Sequence, residues 1–380
     1  MPRARISCLG LLFVVLAGCS SSSTNPADTC APGDLKQCSC PGGQASVRAC
    51  SGGQFGDCQC GDAGVGGVAG TGGAAGSGGL GGTGATSTGG AGGGAEPPSC
   101  KGLADCVPGH SCCESLPIPA GAFQRDAKTE SAFEATVGAF RLDAFEVTVG
   151  RFRSFVMAVV NEGFKPVDGS GKHQPEPVAG EPGWLSELSV ELWASLAEWE
   201  AKIAECPGGG ASSTFSSTPG PKDALPMNCV SFPQAYAFCI WDGGYLPTEA
   251  ELGYAWVGQG KAPRKYPWGD TAVDAEHAVY GISPQGSPPP VGSKPKGVGP
   301  FGHHDLFGSM FEYTLDHFDT ASYPLSPCVD CAKLTTNQKA NRAIRGGGWV
   351  NLGDEISAGS RLPWFWGGHN TGFRCARPAG

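Results

Sequence analysis

The sequence predicts an α+β fold that is irregular and rich in loops, carried by the part of the chain that follows residue 116. Strand-like alternation gives way to helical spacing between residues 139 and 160, and amphipathic segments follow. Beyond Gly260 the chain has few periodic runs and many Gly, Pro and aromatic residues. The 380-residue chain contains 62 Gly and 31 Pro, and only 16% of its residues are charged. This composition indicates non-globular segments attached to a globular one.

The first residues have the pattern of a secretory signal. Two Arg residues precede an apolar run that is too short to span a bilayer and that ends at Cys19. The sequence LAGC resembles a bacterial lipobox, so we expect residues 1–18 to be a lipoprotein signal peptide, Cys19 to be lipidated and residues 19–29 to form a tether. An ordinary signal peptide cleaved nearby is the alternative. Because Ser20 resembles the outer-membrane-directed class, we expect an extracytoplasmic protein whose lipid anchors it to the outer membrane of the bacterial cell envelope, where disulfides form.

Residues 30–60 form a cysteine-rich segment with almost no apolar core. In an oxidising compartment this pattern predicts a small module stapled by disulfides, for which 15 pairings exist. A zinc site is the rival, but the segment has no His and no paired CxxC motifs. Residues 61–99 are mostly Gly, Ala, Ser and Thr, and they predict a flexible linker because they bury too little apolar surface to offset their ordering entropy. The cysteines of the module are Cys30, Cys38, Cys40, Cys50, Cys58 and Cys60.

A second cysteine-rich segment, residues 100–116, predicts a stapled lead-in to the globular domain, which we place at residues 117–380. Its cysteines are Cys100, Cys106, Cys112 and Cys113. The formal net charge of the chain is −9, and its isoelectric point is near 5.3. Nucleic-acid binding needs a basic face, so no nucleic-acid partner is expected.

The globular part predicts helices at four places. The segment from Ala139 begins as a strand and becomes a helix with Phe152, Phe155 and Val156 on one face. WLSELSVELWASLAEWEAKIAE, from Trp184, predicts an amphipathic helix or a pair of helices. FPQAYAFCIWDG predicts a helix with its proline in the first turn. LPTEAELGYAWVG predicts another helix, because its Thr and the Glu three residues later form a capping box.

Several segments, in this order, resemble the formylglycine-generating enzyme (sulfatase-modifying factor) family. They are PMNCVSFPQAYAFCIWDGGYLPTEAELGYAWVGQG, YPWGD, VGSKPKGVGPFGHHDLFGSMFEYTLDHF, AIRGGGWV and GFRCA. The resemblance covers about Pro117 to Arg377, and LPTEAE with the GxxxEY and RGG…GFR blocks makes it specific. It implies an α+β domain with a C-type-lectin-like fold.

The resemblance also implies an activity. Family enzymes oxidise a Cys of a sulfatase to formylglycine with oxygen and a copper ion held by two cysteines, and soft Cu(I) prefers such ligands. In this chain Gly348 replaces a family Ser, and the two copper positions fall on Asn351 and Ile356, with no Cys between Cys331 and Cys375. We therefore expect no catalytic residues and no copper. A non-catalytic binding or structural module with a protein or glycan ligand is favoured, and an oxidase of the formylglycine-generating type is the alternative.

The resemblance implies a disulfide between Cys239 and Cys375. The remaining cysteines of the domain are even in number, and we pair Cys206 with Cys229 and the two cysteines of PCVDCA, Cys328 and Cys331, with each other. A structural bridge is favoured for the latter pair. Sulfur ligation of copper from this loop and thiol–disulfide exchange are the alternatives.

One calcium site of the family falls on HHDLFGSMFEY. The resemblance assigns side-chain oxygens of Asp305 and Glu312 and backbone carbonyls of Gly308 and Met310 to the ion. Carboxylates and carbonyls in a tight loop suit a hard cation, so calcium is the expected cofactor. A surface loop with two solvated acids is the alternative.

Two other groups invite a functional interpretation. His303 and His304 are adjacent, and adjacent side chains in an extended segment point in opposite directions, so one packed and one exposed ring is favoured over a metal site. Trp364, Phe365 and Trp366 could line a binding cleft, but core packing is favoured.

Overall fold

The structure is a computed structural model. It describes residues 96–125, 133–174, 178–206, 212–260, 264–320, 325 and 327–380, together with the backbone of three short strands near the N-terminus. The predicted signal peptide, Cys19, the tether, nearly all of the linker and the cysteine pairing of residues 30–60 lie outside the described residues. The chain divides into two units, Met1–Thr83 and Gly84–Gly380.

The described backbone of the first unit is a three-stranded antiparallel sheet. Its strands are β1 (Leu35–Ser39), β2 (Ala45–Ser51) and β3 (Gln54–Phe55). They lie in the order β1-β2-β3, so each strand pairs with its neighbour in the sequence.

The second unit mixes helices with short strands, as the α+β prediction requires. The helices are α1 (Val149–Glu162), α2 (Leu196–Ala204), α3 (Phe232–Trp241) and α4 (Glu249–Val257), and short 3₁₀ helices cover Pro98–Cys100, Ser186–Glu191 and Pro295–Gly297. The strands are β4 (Asp105–Val107), β5 (His110–Ser111), β6 (Ser115–Ile118), β7 (Gly121–Gln124), β8 (Glu134–Val137), β9 (Phe140–Asp143), β10 (Phe311–His317), β11 (Cys328–Val329), β12 (Arg342–Arg345), β13 (Arg361–Trp364), β14 (Thr371–Gly372) and β15 (Ala376–Pro378).

The strands of this unit form small, separate sheets rather than one large sheet. The largest has the order β13-β12-β10-β14, and two three-stranded sheets have the orders β11-β8-β7 and β15-β9-β6. The pair β4-β5 completes the set among the described residues. Short strands joined by long irregular segments follow from the many Gly and Pro residues, which interrupt regular structure.

Helix α1 begins and ends where its local sequence dictates. The Thr148 side chain accepts a hydrogen bond from the Arg151 backbone N–H at the N-terminus. Gly163 ends the helix with φ of 69°, a left-handed conformation that glycine adopts at little cost. The predicted apolar face, Phe152, Phe155 and Val156, is fully buried.

The segment that begins at Trp184 forms two helices, which is one of the two predicted arrangements. The 3₁₀ helix Ser186–Glu191 comes first, and α2 then begins at a capping box made by Ser195 and Glu198. Helix α3 begins with its proline in the first turn, and α4 begins at the predicted capping box of Thr248 and Glu251. These local signals therefore fix the helix starts.

Two large apolar clusters form the core of the unit. The first surrounds α1 and α3 and includes the fully buried Trp184 and Trp199. The second surrounds α4 and includes Trp256 and Ile356. Among the described residues, no helix is long and apolar enough to cross a membrane.

The cysteine-rich lead-in is part of the second unit. Disulfides join Cys100 to Cys113 and Cys106 to Cys112. Ser99 is buried, with its backbone N–H donating to Asp242 and its hydroxyl accepting from Arg151 of α1. Strand β6 follows and pairs with β9. Residues 99–118 therefore contact α1 through Ser99 and lead directly into the β6–β9 pair.

Candidate functional site

The segment between β12 and β13 contains the two positions that hold copper in family enzymes. At the first position, the Asn351 side-chain oxygen accepts a hydrogen bond from the Gly348 N–H at 2.9 Å, and its amide donates to Glu355 at 3.1 Å. The Asn351 carbonyl accepts from the Gly281 N–H at 2.8 Å. The Glu355 carboxylate also accepts a hydrogen bond from the Leu352 N–H. This hydrogen bond lowers the pKa of Glu355 most, and the one from Asn351 lowers it further. Asn351 is thus a turn-forming residue.

At the second position, Ile356 is an apolar core residue. It is fully buried in the cluster around α4. A Cβ placed on Gly347 would lie 3.0 Å from its side chain, so the backbone of the glycine run packs directly on it. An amide and an aliphatic side chain offer no thiolate, so the residues present do not fit Cu(I).

Gly348 occupies the position of the family's active-site Ser, and the loop has closed around it. A Cβ at this position would lie 2.8 Å from both the Cβ and the carbonyl oxygen of Asn370. The next residue, Trp349, is fully buried, and its Nε1 donates to the His369 carbonyl at 2.8 Å. The local packing therefore excludes even a hydroxymethyl group without a backbone shift.

A second site lies at the start of β10, where three buried carboxylates meet one arginine. Glu312 accepts two hydrogen bonds from the Arg374 guanidinium, at 2.8 and 2.7 Å. Asp305 accepts from the Gly292 N–H at 2.6 Å. Glu146, which precedes α1, accepts from the Ser309 hydroxyl at 2.7 Å and from the Met310 N–H at 2.9 Å.

The electrostatics of these carboxylates indicate an excess of negative charge. Burial raises the pKa of Glu146 well above its usual range, and the charges of Asp305 and Glu312 add to the effect. Burial also raises the pKa of Asp305 to about 6 and raises that of Glu312, although Arg374 opposes both changes. One guanidinium faces three buried carboxylates, so their negative charges are not fully balanced by a nearby cationic side chain.

The loop that carries the expected calcium ligands has an unusual backbone. Asp305 and Ser309 have φ of 55° and 59°, and Gly308 has φ of 80°. Such left-handed residues turn the chain tightly and are uncommon for non-glycine residues. Among the described residues, no group of three or more His, Cys, Asp or Glu side chains is arranged to hold a metal ion. The expected calcium ligands are two carboxylate side chains and two backbone carbonyls, so they would not form such a cluster of three side chains.

Sequence reasoning did not identify Glu146 or Arg374 as parts of this site. Glu146 is separated from Ser309 by 163 residues, and Arg374 from Glu312 by 62. One local signal was present: Glu146 is an acid inside the otherwise apolar run before α1 and is fully buried. A buried acid within an apolar run indicates a partner elsewhere in the fold.

The two adjacent histidines have different surroundings. His303 is fully buried, and its Nε2 lies 3.2 Å from the Leu142 carbonyl. His304 is half-buried and stacks on Phe145 with ring centroids 4.9 Å apart. Burial lowers the pKa of both rings, and that of His303 falls to about 3.

The aromatic group after β13 is divided between the core and the surface. Phe365 is buried against Phe232. Trp364 is partly buried, but 57% of Trp366 is exposed. Core packing, favoured from the sequence for all three, describes Phe365 and not Trp366.

The cysteines of the domain are joined in pairs. Cys239 of α3 and Cys375 are fully buried and form a disulfide with Cα atoms 5.4 Å apart. Disulfides also join Cys206 to Cys229 and Cys328 to Cys331. No Cys of these three pairs is therefore a free thiol in this structure.

The amino-acid sequence of this chain is similar to that of a known protein family. A family model described as "Sulfatase-modifying factor enzyme 1-like domain" matches residues 102–379. "Inactive C-alpha-formylglycine-generating enzyme 2" of Mus musculus is 30% identical over 176 residues, which cover 41% of this chain and 50% of the mouse protein. "Formylglycine-generating enzyme" of Streptomyces coelicolor is 34% identical over 171 residues, which cover 40% of this chain and 53% of that protein.

Among solved structures, PvdO from Pseudomonas aeruginosa matches with a TM-score of 0.47 and 22% sequence identity, covering 75% of this chain and 100% of that chain. The chain spans about half the length of the first curated relatives that it matches.

Proposed function

Because this chain belongs to the sulfatase-modifying factor enzyme family, with residues 102–379 as its family domain, we propose that the domain is a non-catalytic binding or structural module. A lipid on Cys19 holds it on the outer membrane, outside the cytoplasm. Fold membership alone is a weak argument for activity, so the proposal depends on particular residues.

The proposal rests on the roles of Asn351 and Ile356, which stand where the resemblance places the two copper cysteines. The Asn351 side chain hydrogen-bonds to Gly348 and to Glu355 and so stabilises the turn between them. Ile356 contributes to the apolar cluster around α4. Both residues support the fold, and the oxidation of a Cys to formylglycine needs sulfur ligands that neither supplies.

The matched relatives include both a protein named as inactive and a protein named as an enzyme. The matched mouse protein is named as inactive, whereas the matched Streptomyces protein is named as the formylglycine-generating enzyme. This chain belongs with the inactive group only if its own residues cannot oxidise a Cys to formylglycine. The closed loop at Gly348 is the feature of this chain that argues for the inactive group.

Calcium is the proposed cofactor of the module. Asp305 and Glu312 with the carbonyls of Gly308 and Met310 would hold it, beside the carboxylate of Glu146. When bound, the ion would supply positive charge that offsets these buried carboxylates and would stabilise the loop before β10.

The proposed ligand is a protein or a glycan. Two exposed apolar side chains lie near each other in the sequence after β12: Leu362 is 46% exposed and Trp366 is 57% exposed. Exposed aromatic rings are common in recognition surfaces, because they offer a rigid apolar face at low entropic cost. The linker, residues 61–99, would hold this domain away from the membrane.

The experiment that tests the proposal measures Cu(I) binding and aldehyde formation together. The purified protein competes for Cu(I) with a chromophoric chelator, and a Cys-containing sulfatase peptide is assayed with an aldehyde-reactive probe. We expect no tight copper and no aldehyde. The Cys328→Ser and Cys331→Ser variants are measured alongside, because copper bound by the wild type and lost in them would place thiolate ligands in another loop. Aldehyde on the peptide would overturn the proposal and restore the oxidase.

A further inference from the structure

The disulfide between Cys328 and Cys331 differs in its surroundings from the disulfides Cys206–Cys229 and Cys239–Cys375, whose four cysteines are all buried. The two cysteines are only three residues apart. Cys328 is 1% exposed, whereas Cys331 is half-buried and lines a small surface cleft. By contrast, Cys239 and Cys375 are both fully buried in the core. The short loop therefore joins a half-buried cysteine that lines a cleft to a fully buried one.

The loop between the two cysteines is held in a sparsely populated conformation. Asp330 has φ of 40°, which is unfavourable for a residue with a side chain. Its N–H donates to the Thr136 carbonyl at 2.9 Å, and its carboxylate accepts from the Gly138 N–H at 2.6 Å. These hydrogen bonds to residues 136 and 138 hold the turn in place without the disulfide, so opening the disulfide would not release the loop from the sheet.

The cleft beside Cys331 contains a buried acid. Asp316 of β10 is 5% exposed. Its carboxylate accepts from the Glu249 N–H at 2.7 Å and from the Lys333 N–H at 2.8 Å. Lys333 follows Cys331 by two residues, so the same short segment carries both the sulfur and a donor to the acid. Arg125 and Glu249 also line the cleft.

The charges around Asp316 suit proton transfer near neutral pH. Burial raises the pKa of Asp316 to about 7, the negative charge of Glu249 acts in the same direction, and the two backbone hydrogen bonds and Arg361 oppose it. Glu249 comes from α4 and is itself paired with Arg361. Lys333, whose ammonium group pairs with Asp319 at 3.4 Å, also lines the cleft and adds positive charge near Cys331, which favours a thiolate anion.

We propose that Cys328 and Cys331 form a thiol–disulfide exchange site whose substrate is a dithiol of a peptide or protein. This inference goes beyond the proposed function: the domain still lacks formylglycine chemistry, and the exchange activity uses residues that the binding proposal does not use and needs no metal.

The reaction balances within the two partners. A substrate thiol gives its proton to Asp316, and the resulting thiolate attacks the Sγ of Cys331. The Cys328–Cys331 bond breaks, and Cys328 leaves with the electron pair and takes a proton from water. The second substrate thiol then gives its proton to water, and its thiolate attacks the substrate sulfur of the mixed disulfide and releases Cys331, which takes the proton held by Asp316. The substrate dithiol is oxidised by two electrons to a disulfide, and the cysteine pair is reduced by the same two electrons.

The first test is a redox titration of the intact protein in buffers of reduced and oxidised glutathione. Free thiols are alkylated under native conditions, and each cysteine peptide is quantified by mass spectrometry. We expect Cys328 and Cys331 to become reduced at a glutathione ratio at least tenfold less reducing than the ratio required for Cys206 and Cys229. Equal resistance of the two pairs would overturn the proposal.

The second test separates chemistry from folding. In Cys328→Ser the remaining Cys331 is expected to form a stable mixed disulfide with glutathione, whereas in Cys331→Ser the buried Cys328 is not. Circular dichroism verifies that both variants fold. If both variants capture glutathione equally, or if neither does, the assignment of Cys331 as the attacked sulfur is wrong.

The third test assigns the acid. The rate at which a reduced dithiol peptide is oxidised is measured between pH 5.5 and pH 9. The wild type is expected to gain rate through about pH 7, as Asp316 ionises, whereas Asp316→Asn follows only the ionisation of the attacking thiol near pH 8.5. Identical pH profiles would remove Asp316 from the mechanism.

Discussion

His173 Nε2 lies 3.0 Å from Glu251 Oε2, inside the capping box that starts α4. Its Nδ1 lies 3.0 Å from a carboxylate oxygen of Glu181, and its ring packs on Tyr245 with centroids 4.1 Å apart. Both acids are almost fully buried. A single imidazolium therefore links the loop before the Trp184 segment to the start of α4.

This link makes stability depend on pH. Burial lowers the pKa of His173, but the charge of Glu251 and the hydrogen bonds to both acids outweigh it and raise the pKa to about 10. Because the folded pKa lies above the unfolded value of about 6.5, the stabilisation is fully present below about pH 6.5 and is lost as pH rises towards 10.

We expect His173→Gln to lower the free energy of unfolding by about 3–5 kcal/mol at pH 6, since it leaves two buried carboxylates without their cation. The difference from wild type should shrink by pH 9.5. Urea denaturation at both pH values measures it. His110→Gln is the matched control, because His110 pairs with Glu114 at 2.8 Å but its side chain is 53% exposed, and it should cost less than about 1 kcal/mol. A pH-independent difference for His173→Gln would contradict the assignment.

Calcium should stabilise the domain. At a free concentration of 100 times its dissociation constant, calcium would add about 2.7 kcal/mol to the free energy of unfolding. Thermal unfolding in calcium, in magnesium and in a chelator measures the effect. Asp305→Ala should abolish the calcium-dependent rise in Tm, whereas Asp354→Ala, which removes an exposed acid, should keep it. A wild-type Tm that does not respond to calcium would exclude the site.

The glycine run should not tolerate the serine that family enzymes carry. Gly348→Ser would place a Cβ 2.8 Å from Asn370, and we expect a loss of about 1–3 kcal/mol in the free energy of unfolding. Gly220→Ser is the control, because nothing lies within 4 Å of its Cβ position. Equal stability of the two variants would show that the loop around Gly348 is open.

The long disulfide should matter more than the shorter one. Cys239 and Cys375 are 136 residues apart, whereas Cys206 and Cys229 are 23 apart. The loop-entropy model gives about 5 kcal/mol for the first and about 3.5 kcal/mol for the second. Double Cys→Ser variants of each pair, compared by chemical denaturation, test this order. The reverse order would mean that native-state packing dominates.

The sequence predicted those elements whose signals are local. The capping box of Thr248 and Glu251 marks the start of α4, and the proline of FPQAYAF marks the first turn of α3. The fold class was also predicted correctly, since the family blocks occur in order along the chain. These signals depend on neighbours within a few residues, and the sequence displays them directly.

The buried polar contacts could not be predicted because their partners are distant in the sequence. Glu146 meets Ser309 across 163 residues, and His173 meets Glu251 across 78. Helical periodicity after Trp184 left a single helix and a pair of helices both open, and the Ser195 capping box marks where α2 begins. The distant partners of the buried acids follow from packing, and no local pattern encodes them.

Strands β6 and β15 lie on either side of β9 in one sheet. Strand β9 thus joins two strands that are far apart in the sequence, since Ser115 of β6 and Arg377 of β15 are separated by 262 residues. Force applied along either outer strand would therefore be borne by the hydrogen bonds of β9, so these two pairings act as a mechanical clasp within the sheet.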